Sequence, residues 1–278
     1  SAGFMPNLWG GAVDSGIIAN FQTIFNLATA IVLLPFTGVL VNISCKIIKD
    51  GNDKEVKKFP ELAMLDNKLM ITPPLALEEV TKLAINMANT AQENISLSLK
   101  QFTEYSSEVT DIINANEEKL DCFTDRADNY LIELSSNIKN AADKRHHSML
   151  MQCISDIERI GDYATNFDEI AKKKFDSDIT FSESAVIEFD TIKDAITEIL
   201  RLTIEAMTDE NDYVAKRIEP LEEVIDDMVL LLKDKHTARL CEGICSIDSG
   251  LIFMDILTYY ERTADQCSSI AMLILSKN

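Results

Sequence analysis

The sequence predicts an all-α protein in which one transmembrane-type helix precedes a six-helix domain made of two duplicated three-helix bundles. Three observations carry this reading. Glycine and proline are scarce, at 9 and 6 residues, aromatic content is 7%, and the long runs are built of Leu, Ile, Ala, Met, Glu, Asp and Lys, a helical composition. From Pro74 onward apolar residues recur at helical spacing, and no period-two run is long enough for a strand. A Glu-x-x-x-Asp pair also recurs at a fixed distance: Glu117 and Asp121 are matched 105 positions later by Glu222 and Asp226, and Glu158 and Asp162 are matched 103 positions later by Glu261 and Asp265. Near-equal offsets at two independent places imply duplication of a unit of about 100 residues.

Taken in chain order, the first element is the membrane-type segment, placed within residues 1–50. Ser1 to Gly16 holds no basic residue and no methionine opens the chain, so a secretory signal is not expected and the start reads as a cut through a longer polypeptide. Ser15 to Cys45 is free of charge for 31 positions, with FNLATAIVLLPFTGVLV at its centre. A bilayer core of about 30 Å needs about 20 helical residues, so this run is long enough. Asn20, Gln22, Thr23 and Asn26 near its start prefer other helices to lipid, and Pro35 and Gly38 predict a kink. Lys46, Lys49, Lys54, Lys57 and Lys58 follow. By the positive-inside tendency, the chain after residue 46 lies on the cytoplasmic side of the inner membrane.

Residues 51–73 read as a linker, and the helical domain as 74–278 with halves 74–176 and 182–278. Its helices are placed at 74–106, 108–137, 143–175, 182–208, 209–242 and 249–276. Thr72 is the cap candidate ahead of the TPPLALEEV start, where proline suits the first turn. Ser182 opens the fourth helix, Gly243 stops the fifth, and Asp248 or Ser249 opens the sixth. Pro220 requires the fifth helix to kink or to begin later.

A net charge of −20 excludes a nucleic-acid surface and favours cations or basic partners. The six cysteines lack zinc-site spacing and read as reduced thiols. On a helix, residues four apart share a face, so each Glu/Asp pair projects two carboxylates together. With 46 acids in 278 residues any one such pair is weak evidence; the recurrence in both halves is what points to a hard cation. Glu117, Asp121, Glu158, Asp162, Glu222, Asp226, Glu261 and Asp265 are therefore the candidate metal ligands. No Glu-x-x-His run supports a di-metal carboxylate enzyme. No phosphate loop or nucleophile motif appears either, so no catalytic residue and no organic cofactor is assigned. Arg159 and Arg262, each following a motif glutamate, bind phosphate or pair with acids, pairing being the default. His146 and His147 read as surface residues, and Met149, Met151, Met254 and the AMLIL tail as core.

The run EPLEEVIDDMVLLLKDKHTARLCEGICSIDSGLIFMDILTYYERTADQCSSIA, Glu219 to Ala271, resembles the C-terminal domain of bacterial sodium/phosphate cotransporters. That domain is similar to the PhoU phosphate-uptake regulators, which are duplicated three-helix bundles. LDNKLMITPPLALEEV resembles the family's linker, and ANFQTIFNLATAIVLLPF one of its late membrane helices. The resemblance implies a regulatory cytoplasmic domain, not an enzyme, whose partners are the remaining transmembrane helices of a transporter core and a second copy in a homodimer, with phosphate and sodium handled by the whole protein. It also implies metal clusters of iron, zinc, manganese or magnesium at the eight carboxylates named above. The family's paired Gln-Ser-Ser-Ser motifs do not occur here, so this chain alone is not expected to transport phosphate. The alternative is a single-span, membrane-attached metal-binding or scaffold bundle.

Overall fold

The computed structural model describes residues 15–33, 58–209 and 211–276. The chain divides into two compact units, Ser1–Lys54 and Glu55–Asn278. In the first unit, helix α1 spans Ser15–Leu33, with Phe21, Ile24, Phe25, Leu27 and Ile31 exposed. The expected transmembrane helix is not shown here: among the described residues no helix is long and apolar enough to cross a membrane. α1 takes up only 19 residues of the charge-free run, and Asn20, Gln22, Thr23 and Asn26 dilute its apolarity. The rest of that run, with Pro35, Gly38 and the lysines from 46 to 57, lies outside the described residues.

In the second unit α2 spans Pro73–Gln101, α3 Ser107–Ser135 and α4 Ala141–Asp176, and these form the first half. The second half holds α5 (Glu183–Asp209), the one-turn α6 (Asp212–Ala215), α7 (Ile218–Cys241) and α8 (Ile247–Ser276). No strand occurs among the described residues. Local chemistry sets the ends. Pro73 and Pro74 occupy the first turn of α2, though Thr72 makes no side-chain cap bond. Asn140 accepts from Asp143 N at 2.7 Å and so starts α4 earlier than the periodicity alone suggests. Ser182 and Ser246 cap α5 and α8 through Ala185 N and Ser249 N. Gly243, at φ 70°, ends α7 in the left-handed conformation that suits glycine. The expected fifth helix begins later: Asn211 accepts from Tyr213 N at 3.0 Å to open α6, and Pro220 sits in the first turn of α7, where an amide hydrogen has no helical acceptor.

The core is one cluster of Leu, Ile, Phe and Ala side chains from both halves, with Phe123, Phe167 and Phe253 among its largest members. Burying each contributes about 1.5–3 kcal/mol. α4 and α8 form the seam and run antiparallel: Asp156 meets Ser269, Tyr163 meets Tyr259, and Phe167 meets Tyr260. Asp156, 1% exposed, accepts from Gln152 at 2.8 Å and from Ser269 at 2.7 Å, so both its oxygens are served.

Residues 58–72, within the stretch expected to be linker, form a strap over the first half. Its two 3-10 turns, Pro60–Met64 and Asn67–Ile71, bury Leu62, Leu65 and Met70. Phe59 sits edge-on to Phe123 at 5.7 Å, Glu61 pairs with Lys119 at 3.1 Å, and Lys58 pairs with Glu118. Tyr130 donates to Asp66 O at 3.0 Å and Asn137 to Met70 O at 3.1 Å. His146 and His147 are corrected from plain surface residues. His147 Nε2 lies 2.8 Å from Leu131 O and His146 Nε2 lies 3.1 Å from Thr81 Oγ1, which tie α4 to its neighbours.

Candidate metal centres

The eight carboxylates fall four to each half; those of the first half act on one another electrostatically, and in the second half Glu222, Asp226 and Asp265 converge. In the first, α3 carries Glu117 and Asp121 and α4 carries Glu158 and Asp162. Glu117 is pushed up to about 8, first by burial, then by a side-chain hydrogen bond with Asp162, then by the charges of Asp162, Asp121 and Glu158. Its Oε2 is sealed from solvent and receives no hydrogen bond. A carboxylate pressed on another carboxylate needs a proton or a cation between them, and that is the sense in which this group fits a metal. Asp121 is raised by burial and then by Asp162 and Asp125, and Glu158 by burial and then by Asp162 and Asp121.

Gly161 allows the close approach. A Cβ there would meet Leu120 Cδ1 at 2.5 Å and Glu117 Oε2 at 3.3 Å, so α3 and α4 come together because this position has no side chain. The second half has Ala264 in its place and buries it fully.

In the second group Glu222, Asp226 and Asp265 place one oxygen each within 4.8 Å of one another. Glu222 is raised to about 7 by burial first and then by Asp226 and Asp265, while Asp226 and Asp265 are raised by burial and then by neighbouring carboxylates. Glu261 stands apart from this trio because Lys233 Nζ lies 2.7 Å from its Oε2. The donors are oxygen in both groups, a chemistry that suits magnesium, manganese or iron better than zinc.

Two residues of the first group were not read from the sequence. Asp125 raises Asp121, and Asp128 raises Glu158 and is itself raised by burial and Asp125. They continue the stripe Glu117, Asp121 at steps of four and three residues; following that stripe along one helix face would have found them. Of the two motif arginines, Arg159 pairs with an acid as expected, Asp156 at 3.9 Å, while Arg262 lies over the Tyr259 ring at 5.7 Å with its charge acting on Asp265. Cys122, Cys153, Cys241, Cys245 and Cys267 take part in no disulfide.

The duplicated bundle and its repeated acidic pairs match a known family. The family profile described as PhoU domain covers residues 84–171 and 189–274, one copy on each half. The chain belongs to the PhoU domain family. It is 19% identical over 265 residues to the putative inorganic phosphate export protein YjbB of Salmonella typhimurium, covering 95% of this chain and 48% of that protein. It is 26% identical over 137 residues to the phosphate-specific transport system accessory protein PhoU homolog of Synechocystis, covering 48% of this chain and 58% of that one. The chain therefore spans about half the length of these relatives. Among solved structures, PhoU from Pseudomonas aeruginosa superposes with a TM-score of 0.68 at 16% identity, covering 72% of this chain and 96% of that one. The phosphate transport system regulatory protein PhoU from Streptococcus pneumoniae gives 0.66 at 17%, with 74% and 96% covered. The likeness to the solved structures establishes the PhoU fold.

Proposed function

We propose that this PhoU domain is the cytoplasmic regulatory part of a sodium-dependent phosphate cotransporter, acting by binding rather than by catalysis, and that it holds metal ions at its two carboxylate groups. The observation that carries the metal reading is the Glu117–Asp162 contact, where a half-buried carboxylate faces another with no donor at its sealed Oε2. The same pairs recur in the second half around Glu222, Asp226 and Asp265. Support for a membrane partner comes from the 95% of this chain that aligns with a protein named for phosphate export. The charge-free run from Ser15 to Cys45, followed by lysines, supports attachment at the inner membrane. Further transporter helices are its expected partners there, together with a second copy of the chain.

Elemental analysis of the purified chain tests the metal assignment. Wild type is expected to carry manganese, magnesium or iron, and the double variants Glu117→Ala/Asp121→Ala and Glu261→Ala/Asp265→Ala are each expected to carry less. Metal content unchanged in both variants, or none in wild type, sinks the assignment. Recovery of the native protein from the soluble fraction of lysed cells would sink the membrane attachment.

A further inference from the structure

The two halves share a face that the strap covers in the first. There Lys58 pairs with Glu118, Phe59 packs edge-on against Phe123, Glu61 pairs with Lys119, and Tyr130 donates to Asp66 O. Phe123 is fully buried beneath it. At the 105-residue offset that relates the halves, the corresponding positions on α7 are Glu223 for Glu118, Val224 for Lys119, Met228 for Phe123, Leu231 for Arg126 and Lys235 for Tyr130.

This second face is open. Val224 is 51% exposed and Leu231 53% exposed, and with Met228 between them they form one apolar stripe at steps of four and three residues. Glu222 and Asp226 lie on the opposite flank of α7, so the stripe is separate from the carboxylate group. Further along the same flank, Lys235 and Arg239 reach Glu188 on α5 and close that end.

Charge repeats the pattern of the covered face. Glu223 keeps the acid that Lys58 meets in the first half, it is exposed, and among the described residues no base pairs with it. Lys235 keeps a donor where Tyr130 holds the strap carbonyl. Only the base that receives Glu61 is lost, and an apolar valine stands there instead. The covered face thus defines the occupant of the open one: a basic residue at the place of Lys58, then apolar residues at the places of Phe59 and Glu61.

We propose that Val224, Met228 and Leu231, flanked by Glu223, form a docking groove for a strap-like segment of another protein, basic at its start and apolar after it. The strap of this chain is already seated on the first half, so the second occupant comes from a partner.

The test is fluorescence anisotropy of the full chain titrated into a labelled synthetic peptide of residues 58–71 carrying Glu61→Leu. Saturable one-to-one binding is expected. Val224→Asp/Leu231→Asp, at exposed positions where the melting temperature should hold, should weaken it at least tenfold. Glu223→Lys should weaken it by about threefold, and a peptide that also carries Lys58→Glu should recover the loss. The unmodified peptide, which sets Glu61 against Val224, should bind more weakly; the reverse order would place the peptide at Lys119 on the first half and overturn the groove. No saturable binding to wild type, or equal affinity in the aspartate variant, also overturns it. So does sedimentation equilibrium showing a wild-type dimer and a monomeric aspartate variant, because the face then belongs to a second copy of the chain.

Discussion

Lys233 holds Glu261 at 2.7 Å in the second half, at the place where Asp128 presses on Glu158 in the first. The two residues are 105 positions apart, the same offset that relates Glu117 to Glu222. One substitution on equivalent helices thus makes the halves electrostatically unequal, with an added acid beside Glu158 in the first and a lysine on Glu261 in the second.

That relationship predicts unequal metal affinities. In a Glu117→Ala/Asp121→Ala background, where only the second group remains, Lys233→Asp should strengthen manganese binding by about tenfold, as expected for adding negative charge near a partly exposed cation. Calorimetric titration reads this directly. An affinity unchanged by the substitution would sink the idea that Lys233 occupies the role of a cation.

The raised carboxylates make the metal-free domain sensitive to alkali. Glu117 titrates near 8 and Glu222 near 7, both above the 4.5 of the unfolded chain. The protons they hold favour the folded state fully below pH 4.5, and that contribution is lost as pH rises through 7 and 8. Between pH 6 and pH 9 the metal-free wild type should lose melting temperature relative to Glu117→Gln/Glu222→Gln, and manganese should close the gap. Metal binding at pH 7 should also release protons, seen as a buffer-dependent binding enthalpy.

Gly161→Ala should separate α3 from α4. The new methyl group would stand 2.5 Å from Leu120 Cδ1, an overpacking that costs about 1–3 kcal/mol. Adding Leu120→Ala should recover less than the full loss if the Glu117 contact is disturbed as well. A melting temperature equal to wild type in the single variant would show that the helices yield without cost.

His236 is 1% exposed, stacks on Phe253 at 4.4 Å, and has no hydrogen-bond partner at either ring nitrogen. Burial first, and then the Arg239 charge, lower its pKa from 6.5. A lowered folded value means that its contribution is present above pH 6.5 and lost as pH falls below it. His236→Leu, which installs the type of residue found at the equivalent Leu131, should therefore raise the melting temperature more at pH 5 than at pH 8. An equal shift at both would refute the titration.

Much of this was legible in the residues. The helices from Pro73 to Ser276 follow from apolar spacing and short polar caps, which act locally. The Glu/Asp pairs were legible as a duplication because offset is a property of sequence. The strap was not, because residues 58–72 hold no long period and their burial depends on Phe123, Lys119 and Tyr130, all distant in the chain. Lys233 could not be assigned to Glu261 for the same reason, since the two meet only when α7 packs on α8. The partner of Arg159 was not legible either, since counting acids does not say that Asp156, one turn earlier on the same helix, is the one it meets.

The strap has a mechanical meaning. Lys58 and Glu61 grip Glu118 and Lys119, the residues directly after Glu117 on α3. The strap therefore fixes its place in the bundle through the same turn of α3 that carries Glu117, so packing of residues 58–61 and placement of that carboxylate depend on one stretch of helix.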